Sequence, residues 1–474
     1  MARAKILVTY GPACQSRRQL EELVERGASA VRYNFSHGNP EDFRKVVAMV
    51  RQISKRLNQP IAVLADLQGP KIRCGDLPPE GLNLEAGERV LISARQPERT
   101  VKWIPFASAR VLKTVQPGHQ VLFDDGQMVA VAERLVNEGL WLKIQNGGVL
   151  YSKKGINFPD STLALSCLTP KDRSDAQAAL RYGADYLALS FVQHEDDVMV
   201  LRRLTERAGR ADIPIIAKIE KPQAVRRLRE ILQVVSGVMI ARGDLGVEMP
   251  LEEVPAIQKT IIGQANHSGK LVITATQMLD SMIRLPRPTR AEASDVVNAI
   301  IDGTDVVMLS GETASGKYAA EAVSVMKRLI VEAEDFAKLR GIEDANAFVG
   351  GSEIRATICQ AAVQSTRSMP VAAIFVHTHS GKIGRYVSKF RPQVPIFSLT
   401  PSLGVSQRCS LFWGTTPYAI PKIKSTSELV AFIGKITLRL GLKDKKVVVA
   451  IISGFPFSPH VSTNMFKLHE VTTR

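Results

Sequence analysis

The sequence predicts an α/β protein: a closed eight-fold barrel of alternating strands and helices, a small β domain inserted in one barrel loop, and an open α/β domain at the C-terminal end. Three observations carry this. Eight short apolar runs recur along the first two thirds of the chain, most of them separated by stretches with helical periodicity. One interval, between the third and fourth runs, is far longer than a single helix requires. Beyond residue 345 or so, apolar runs resume after a Gly-containing break, in a strongly basic context. At 474 residues the chain exceeds what one ordinary core holds, so several domains are expected.

The eight runs are "AKILVTYG" (4–11), "AVRYNFSHG" (30–38), "PIAVLADLQG" (60–69), "YLALSFV" (186–192), "PIIAKIE" (214–220), "GVMIARGD" (237–244), "LVITATQM" (271–278) and "VVMLSGE" (306–312). They are nearly continuous in apolar residues, as strands of a parallel sheet buried on both faces must be. Intervening stretches such as "RRQLEELVERG" and "AVSVMKRLIVEAE" have the helical period. Eight such units suggest a (β/α)8, or TIM, barrel over residues 1–73 and 168–345.

The excess in the third interval, residues 74–167, holds "RVLISA", "QVLFDDGQMVAVAERLV" and "LWLKIQNGG", which read as a β domain placed to act as a lid. "LTPKDRSDAQAALRYGAD" then restarts a helix, with Thr169 as N-cap and Pro170 at the first helical position. Residues 346–474, with "VAAIFVHT", "VPIFSLT", "TPYAI" and "KVVVAIIS", read as the second α/β domain.

The formal charge of +16 is uneven. Residues 346–474 carry 16 Lys and Arg against 4 Asp and Glu, hence +12, whereas residues 74–167 carry 10 against 10. A basic domain suits an anionic partner, either a phosphorylated small molecule or a nucleic acid, or is simply a solvated surface. Only scattered aromatics, such as Phe390, Phe412 and Trp413, accompany its lysines, which disfavours nucleic acid. The five scattered cysteines argue for reduced thiols and a cytoplasmic location, and no apolar run is long enough to span a membrane.

In a barrel of this kind the C-terminal strand ends form the active-site rim. Here those ends carry Arg32, Asn34, Ser36, Asp66, Ser190, Lys218, Glu220, Asp244, Thr276, Ser310 and Glu312. In "AKIEKP", Lys218 and Glu220 stand two apart and so share one side of their strand. Glu220 and Asp244, on adjacent strand ends, offer two oxygen ligands without a histidine cluster, a set suited to Mg2+ or Mn2+. Lys218 beside such a metal would neutralise a phosphoryl group in transfer, with Arg32 and Arg73 as further phosphate clamps. The competing reading of Lys218–Glu220 is an internal salt bridge. Gly243 in "ARGDLG" allows close approach of backbone N–H groups to an anion. "GETASGKY" imitates a phosphate-binding P-loop, but Tyr318 replaces the required hydroxyl and the context is a barrel strand, so it reads as a tight strand-to-helix turn. "HTHSGKIGR" (377–385) could wrap a phosphate in the basic domain or merely start a helix.

Taken in order, "RYNFSHG", "DLQGPKIR", "KKGIN", "AKIEKP", "ARGDLG", "TATQML", "PTRAEASDVVNAIIDGTD" and "VMLSGETASGKY" resemble the pyruvate kinase family, and the resemblance spans essentially the whole chain. It implies transfer of a phosphoryl group from phosphoenolpyruvate to ADP. By motif, Glu220 and Asp244 would hold Mg2+, and Lys218 would stabilise the moving phosphoryl group. Arg32, Gly243, Asp244, Thr276 and Ser190 would contact the substrate, with Thr276 near the carbon that gains a proton. Asn34, Phe35, Ser36, His37, Arg73 and Lys154 would contact the nucleotide. The resemblance also implies a homotetramer and a phosphorylated activator at a loop formed here by Thr378, Ser380, Gly381 and Lys382, with Ile383 where sugar-bisphosphate-responsive members often have serine.

Many members read Asp-Thr-Lys-Gly-Pro-Glu where this chain has "DLQGPK", and they require K+. Asn34, Ser36 and Asp66 are kept, but Leu67 and Gln68 replace the Thr-Lys pair and Lys71 stands at the Glu position. A tethered ammonium there would supply the charge that K+ brings, so activity without K+ is expected. The rival enzyme class is a metal-dependent carbon–carbon lyase acting on enolpyruvate or pyruvate, which would need neither the inserted domain nor Lys154.

Overall fold

The computed structural model describes residues 2–98, 100–163, 165–341, 354–439, 446–457 and 461–472. The expected boundary near 345 lies outside them. All eight expected barrel strands form: β1 Lys5–Thr9, β2 Ala28–Asn34, β3 Ala62–Asp66, β4 Tyr186–Leu189, β5 Ile215–Ile219, β6 Gly237–Ala241, β7 Leu271–Ala275 and β8 Val306–Leu309. They pair in parallel and close in the order β1-β8-β7-β6-β5-β4-β3-β2. Residues facing inward and outward are both buried, which is why these runs read as continuous rather than alternating. Thr169 caps the helix Pro170–Tyr182 through the Asp172 backbone N–H and forms a reciprocal capping box with the Asp172 side chain.

Between β3 and β4 the chain builds a six-stranded, mostly antiparallel sheet and a two-stranded ribbon around their own apolar core, which includes Cys74, Val90, Phe123, Leu142 and Phe158. The C-terminal sheet runs β9 Val371–His377, β10 Ile396–Thr400, β11 Thr415–Ala419, β12 Lys446–Ser453 and β13 Met465–Thr472, in the order β11-β10-β9-β12-β13. The first four were expected. The last is antiparallel to β12, and its sequence "MFKLHEVT" alternates weakly enough to have escaped notice.

The bottom of the barrel is closed by the C-terminal domain. Val405, Cys409, Leu411 and Phe412 join the cluster of side chains inside the barrel, with Leu7, Leu64, Tyr186 and Met239. The Tyr186 hydroxyl donates to the Arg408 carbonyl at 2.7 Å. Lys389, itself buried, pairs with Asp305 at the foot of β8. Part of the basic charge of this domain is therefore spent on docking it to the barrel. All five cysteines are free and buried, and no described helix is long and apolar enough to cross a membrane.

Candidate active site

The registers of β5 against β6 and of β6 against β7 bring Lys218, Glu220, the start of the helix Arg242–Glu248 and Thr276 to one side of the upper rim. Lys218 is the centre of the constellation. Its Nζ lies 2.8 Å from Ser190 Oγ, 2.7 Å from Glu220 Oε1 and 3.6 Å from Asp66 Oδ1. Asp66 also accepts from Arg32 Nε at 2.6 Å, and Arg32 donates to Thr9 Oγ1 at 3.2 Å. Two cations and two carboxylates thus form one buried network from three strands, with hydroxyls from two more. Burial disfavours charge on Lys218, but Asp66, Glu220 and Asp244 outweigh it and hold the ammonium above its ordinary range. Burial likewise opposes ionisation of Asp66, yet Lys218 and Arg32 keep its carboxyl below the usual range. Glu220 moves the other way: burial, reinforced by Asp244, pushes it up against the pull of Lys218.

The salt bridge that competes with a functional reading of the Lys218–Glu220 pair is present, and it takes up only part of the acceptor capacity of Glu220. Glu220 Oε2 accepts from the Phe191 backbone N–H at 2.6 Å, while Oε1, fully buried, has ion-pair contact without hydrogen-bond geometry. Asp244 is half-buried and has no hydrogen-bonding side-chain partner among the described residues. A carboxylate met only by one ammonium and one backbone N–H, beside Asp244, fits a hard divalent cation that takes its remaining ligands from water and substrate. Among the described residues no group of three His, Cys, Asp or Glu gathers as an all-protein metal cage.

Thr276 sits just beyond β7 with φ +68°, followed by Gln277 at +53°, a left-handed turn that non-glycine residues adopt only when held. Arg242 holds it. Its guanidinium donates to the carbonyls of Thr276 (2.7 Å) and Gln277 (3.3 Å) and is fixed by Asp295 at 2.7 and 2.6 Å. Thr276 Oγ1 donates to the Ala275 carbonyl and accepts from the Gly243 N–H at 2.8 Å. The Gly243 amide, expected to face an anion, is thus engaged by Thr276.

Between this rim and the inserted domain lies a cavity of about 290 Å3 lined by Lys71, Arg73, Lys154, Lys221, Asp124 and Asp244, among others. Lys154 reaches it from the inserted domain and pairs with Asp124 at 2.8 Å. Arg73 bridges to Gly155 at the junction of the two domains. Lys71 is exposed to this cleft with no ion pair among the described residues. Burial of its ammonium, then Arg73, lower its affinity for a proton. His37, at the end of the β2 turn, is likewise lowered by burial and by Lys71, Arg32 and Arg73. Asn34 and Ser36 form that turn, with the Ser36 N–H on Asn34 Oδ1.

Two expected contacts need correction. Phe35 is fully buried against Tyr33 and Phe43, and its N–H is used by the Asp66 carbonyl, so it packs the turn from beneath and does not face the cleft. The Leu67 side chain is core, and its carbonyl accepts one hydrogen bond, from Ser190 Oγ, which leaves a lone pair on that oxygen. Ser190, buried and bonded on both sides, positions Lys218 and is not a substrate contact. Arg242 and Asp295 were missed because a conventional Arg–Asp pair gives no sequence signal until the turn it supports is seen. A second missed contact is a latch: Glu248 accepts from Asn157 of the inserted domain at 2.6 Å and pairs with Lys221 of the barrel.

Comparison with known proteins agrees with this geometry. Residues 1–323 match the model "Pyruvate kinase, barrel domain" and residues 356–469 the model "Pyruvate kinase, alpha/beta domain". The chain belongs to the pyruvate kinase family. It is 40% identical over 473 residues to "Pyruvate kinase" of Geobacillus stearothermophilus, covering 99% of this chain and 80% of that one. It is 36% identical to that of Clostridium acetobutylicum, covering 99% and 100%. A crystal structure of a pyruvate kinase from Cryptosporidium parvum superimposes with a TM-score of 0.91 at 32% identity, covering 99% and 96%. The activity is accordingly that of a pyruvate kinase, a transferase acting in glycolysis, and members of the family generally use a divalent metal.

Proposed function

We propose that the Lys218 network transfers the phosphoryl group of phosphoenolpyruvate to ADP, giving pyruvate and ATP. The observation that carries this is the Lys218 ammonium, kept charged by three carboxylates and fixed by Ser190 beside Glu220. Glu220 and Asp244 would hold Mg2+ or Mn2+, which supplies charge neutralisation at the phosphoryl oxygens. Lys218 binds the phosphoryl group and meets the charge that develops as it moves. Arg32, oriented by Asp66 and Thr9, clamps the substrate from the opposite side. Thr276, held by Arg242, faces the carbon that gains a proton once the enolate is released. Arg73 and Lys154 grip the nucleotide phosphates across the domain junction, and Asn34, Ser36 and His37 contact it from the β2 turn. A lyase would have no use for Lys154, whose placement in the cleft favours the kinase.

Lys71 supports activity without K+: it lines the cleft with an ammonium that has no ion pair among the described residues. The domain limits fall at 1–73 with 168–345, 74–167 and 346–474. Cys74 packing into the inserted domain and Cys167 into the barrel support the first two junctions. The Thr378–Ser380–Gly381–Lys382 loop takes a phosphorylated activator, and the chain assembles as a homotetramer in the cytoplasm. A lactate-dehydrogenase-coupled assay with phosphoenolpyruvate, ADP and Mg2+ tests the reaction; absence of pyruvate at every activator concentration would remove it.

A further inference from the structure

The chain crosses between the barrel and the inserted domain twice, outward after β3 through residues 67–73 and back through residues 166–169. One carboxylate ties the two crossings together. Asp172, fully buried, stands in the first turn of the helix Pro170–Tyr182. Its Oδ2 accepts from the Thr169 N–H at 2.9 Å and from the Thr169 hydroxyl, on the returning chain. Its Oδ1 accepts from the Gly69 N–H at 3.0 Å, on the outgoing chain. A capping box accounts only for the bonds to Thr169. The bond to Gly69 is extra, and an amide side chain could not accept at both ends. Gly69 is at φ +70°, and a Cβ there would come within 2.7 Å of the Phe191 ring, so only glycine fits this turn. Its carbonyl in turn accepts from the Lys71 N–H at 3.0 Å, which passes the hold on Gly69 to the residues that enter the cleft.

Lys171, the preceding residue, reaches the other side of the cleft. Its Nζ donates to the Phe35 carbonyl at 2.9 Å and is aimed there by Asp175, buried one turn along the helix. A half-exposed lysine in an i, i+4 ion pair stabilises a protein little by itself. Here the pair directs an ammonium onto a carbonyl 136 residues away in the chain. Phe35 lies inside the 34–37 turn. Its N–H is held by the Asp66 carbonyl at 3.0 Å and its ring is buried, so Lys171 supplies the third fixed point of that turn. Neither Lys171 nor Asp172 lines the cleft.

We propose that Lys171 and Asp172 are positioning residues for the nucleotide: they pin the 34–37 turn and the 67–73 segment to the point where the inserted domain rejoins the barrel. The inference rests on the reading that Asn34, Ser36, His37 and Arg73 face ADP, and it adds the residues that hold them there. It also adds a selectivity. Arg32 and Lys218 are fixed separately, by Asp66 and Ser190, so the pair governs the affinity for ADP and leaves phosphoenolpyruvate and the metal almost untouched.

Steady-state kinetics of the full chain, with ADP and phosphoenolpyruvate varied separately at saturating Mg2+, test it. Lys171→Met keeps the aliphatic stem but cannot donate. It should raise the KM for ADP about fivefold, the worth of one hydrogen bond, with kcat and the KM for phosphoenolpyruvate within about twofold of native. Lys171→Arg, which can still donate, should recover most of that affinity. Asp172→Ala should raise the KM for ADP about fivefold or more. Thr169→Ala is its control: it removes the hydroxyl that caps the helix but leaves Asp172 on Gly69. That variant should melt at a lower temperature yet keep the KM for ADP within about twofold. Arg73→Ala reports the underlying reading. If its KM for ADP is unmoved, the nucleotide assignment falls and this inference with it. If Arg73→Ala raises the KM for ADP but Lys171→Met does not, or lowers only kcat, this inference alone is overturned. A rise with Thr169→Ala equal to that with Asp172→Ala would assign the effect to the lost cap and remove Asp172 from the pair. Should Asp172→Ala fail to fold, Lys171→Met and Lys171→Arg decide.

Discussion

Replacing Lys218 with alanine removes the one cation shared by Glu220 and Asp66, both of which are at most 1% exposed. At an effective dielectric of about 20, a unit pair at the 2.7 Å Lys218–Glu220 separation interacts by about 6 kcal/mol before desolvation is counted. Breaking a buried pair from one side typically costs a net of about 3–5 kcal/mol, because the remaining charge is stranded. Lys218→Ala should therefore melt about 5 °C or more below the native chain without metal. Its turnover should fall by roughly 10²–10³, the usual loss for one preorganised charge on a developing anion. Metal binding should survive, since the ligands Glu220 and Asp244 remain. Mn2+ should raise the melting temperature of the variant by more than that of the native chain, because the metal now neutralises carboxylates that Lys218 no longer meets. Thermal melts with and without Mn2+, beside coupled-assay turnover, measure both effects. A variant that keeps more than about a tenth of native turnover, or that Mn2+ stabilises less than the native chain, would refute this account of Lys218.

Lys71→Glu should move the enzyme toward K+ dependence, measured as turnover in Tris buffer against about 100 mM KCl at matched ionic strength. The native chain should change by less than about twofold under the same switch, and tenfold stimulation would sink the tethered-cation reading. Arg242→Gln should lower turnover about tenfold or more with little change in metal affinity. Asp295→Asn should do the same without adding to it, since the two side chains act as one brace on the Thr276 turn. Glu248→Gln should raise the KM for ADP several-fold with a smaller effect on turnover, by loosening the latch between Asn157 and Lys221. Lys382→Ala should weaken activation without lowering fully activated turnover. Arg385, three residues on, stays unmutated in this test, because its guanidinium donates to the Ser236 carbonyl of the barrel at 3.1 Å.

Much of this was legible because seven of the eight barrel strands announce themselves twice, as an apolar run and by the polar residue that ends it. Lys218 and Glu220 were readable as a pair since strand periodicity alone puts them on one side. The inserted domain was readable as surplus length between β3 and β4. What stayed hidden depends on three-dimensional partners. Phe35 sits between two cleft residues in sequence, yet the aromatic packing of Tyr33 and Phe43 turns it inward. Ser190 looks like a substrate hydroxyl until Leu67 and Lys218 are seen to occupy it. Arg385 looked like part of a phosphate loop, but its helix carries it down to the barrel. The strand Met465–Thr472 pairs along the edge of its sheet, where alternation need not be strong.

The most direct test of the central claim is 31P NMR of the native chain mixed with phosphoenolpyruvate, ADP and Mg2+ in K+-free buffer. The enol phosphate resonance should decline in step with the rise of the ATP resonances, and Glu220→Gln should need markedly more Mg2+ to do the same. Free inorganic phosphate appearing in place of ATP, or a Mg2+ requirement unmoved by Glu220→Gln, would contradict the account.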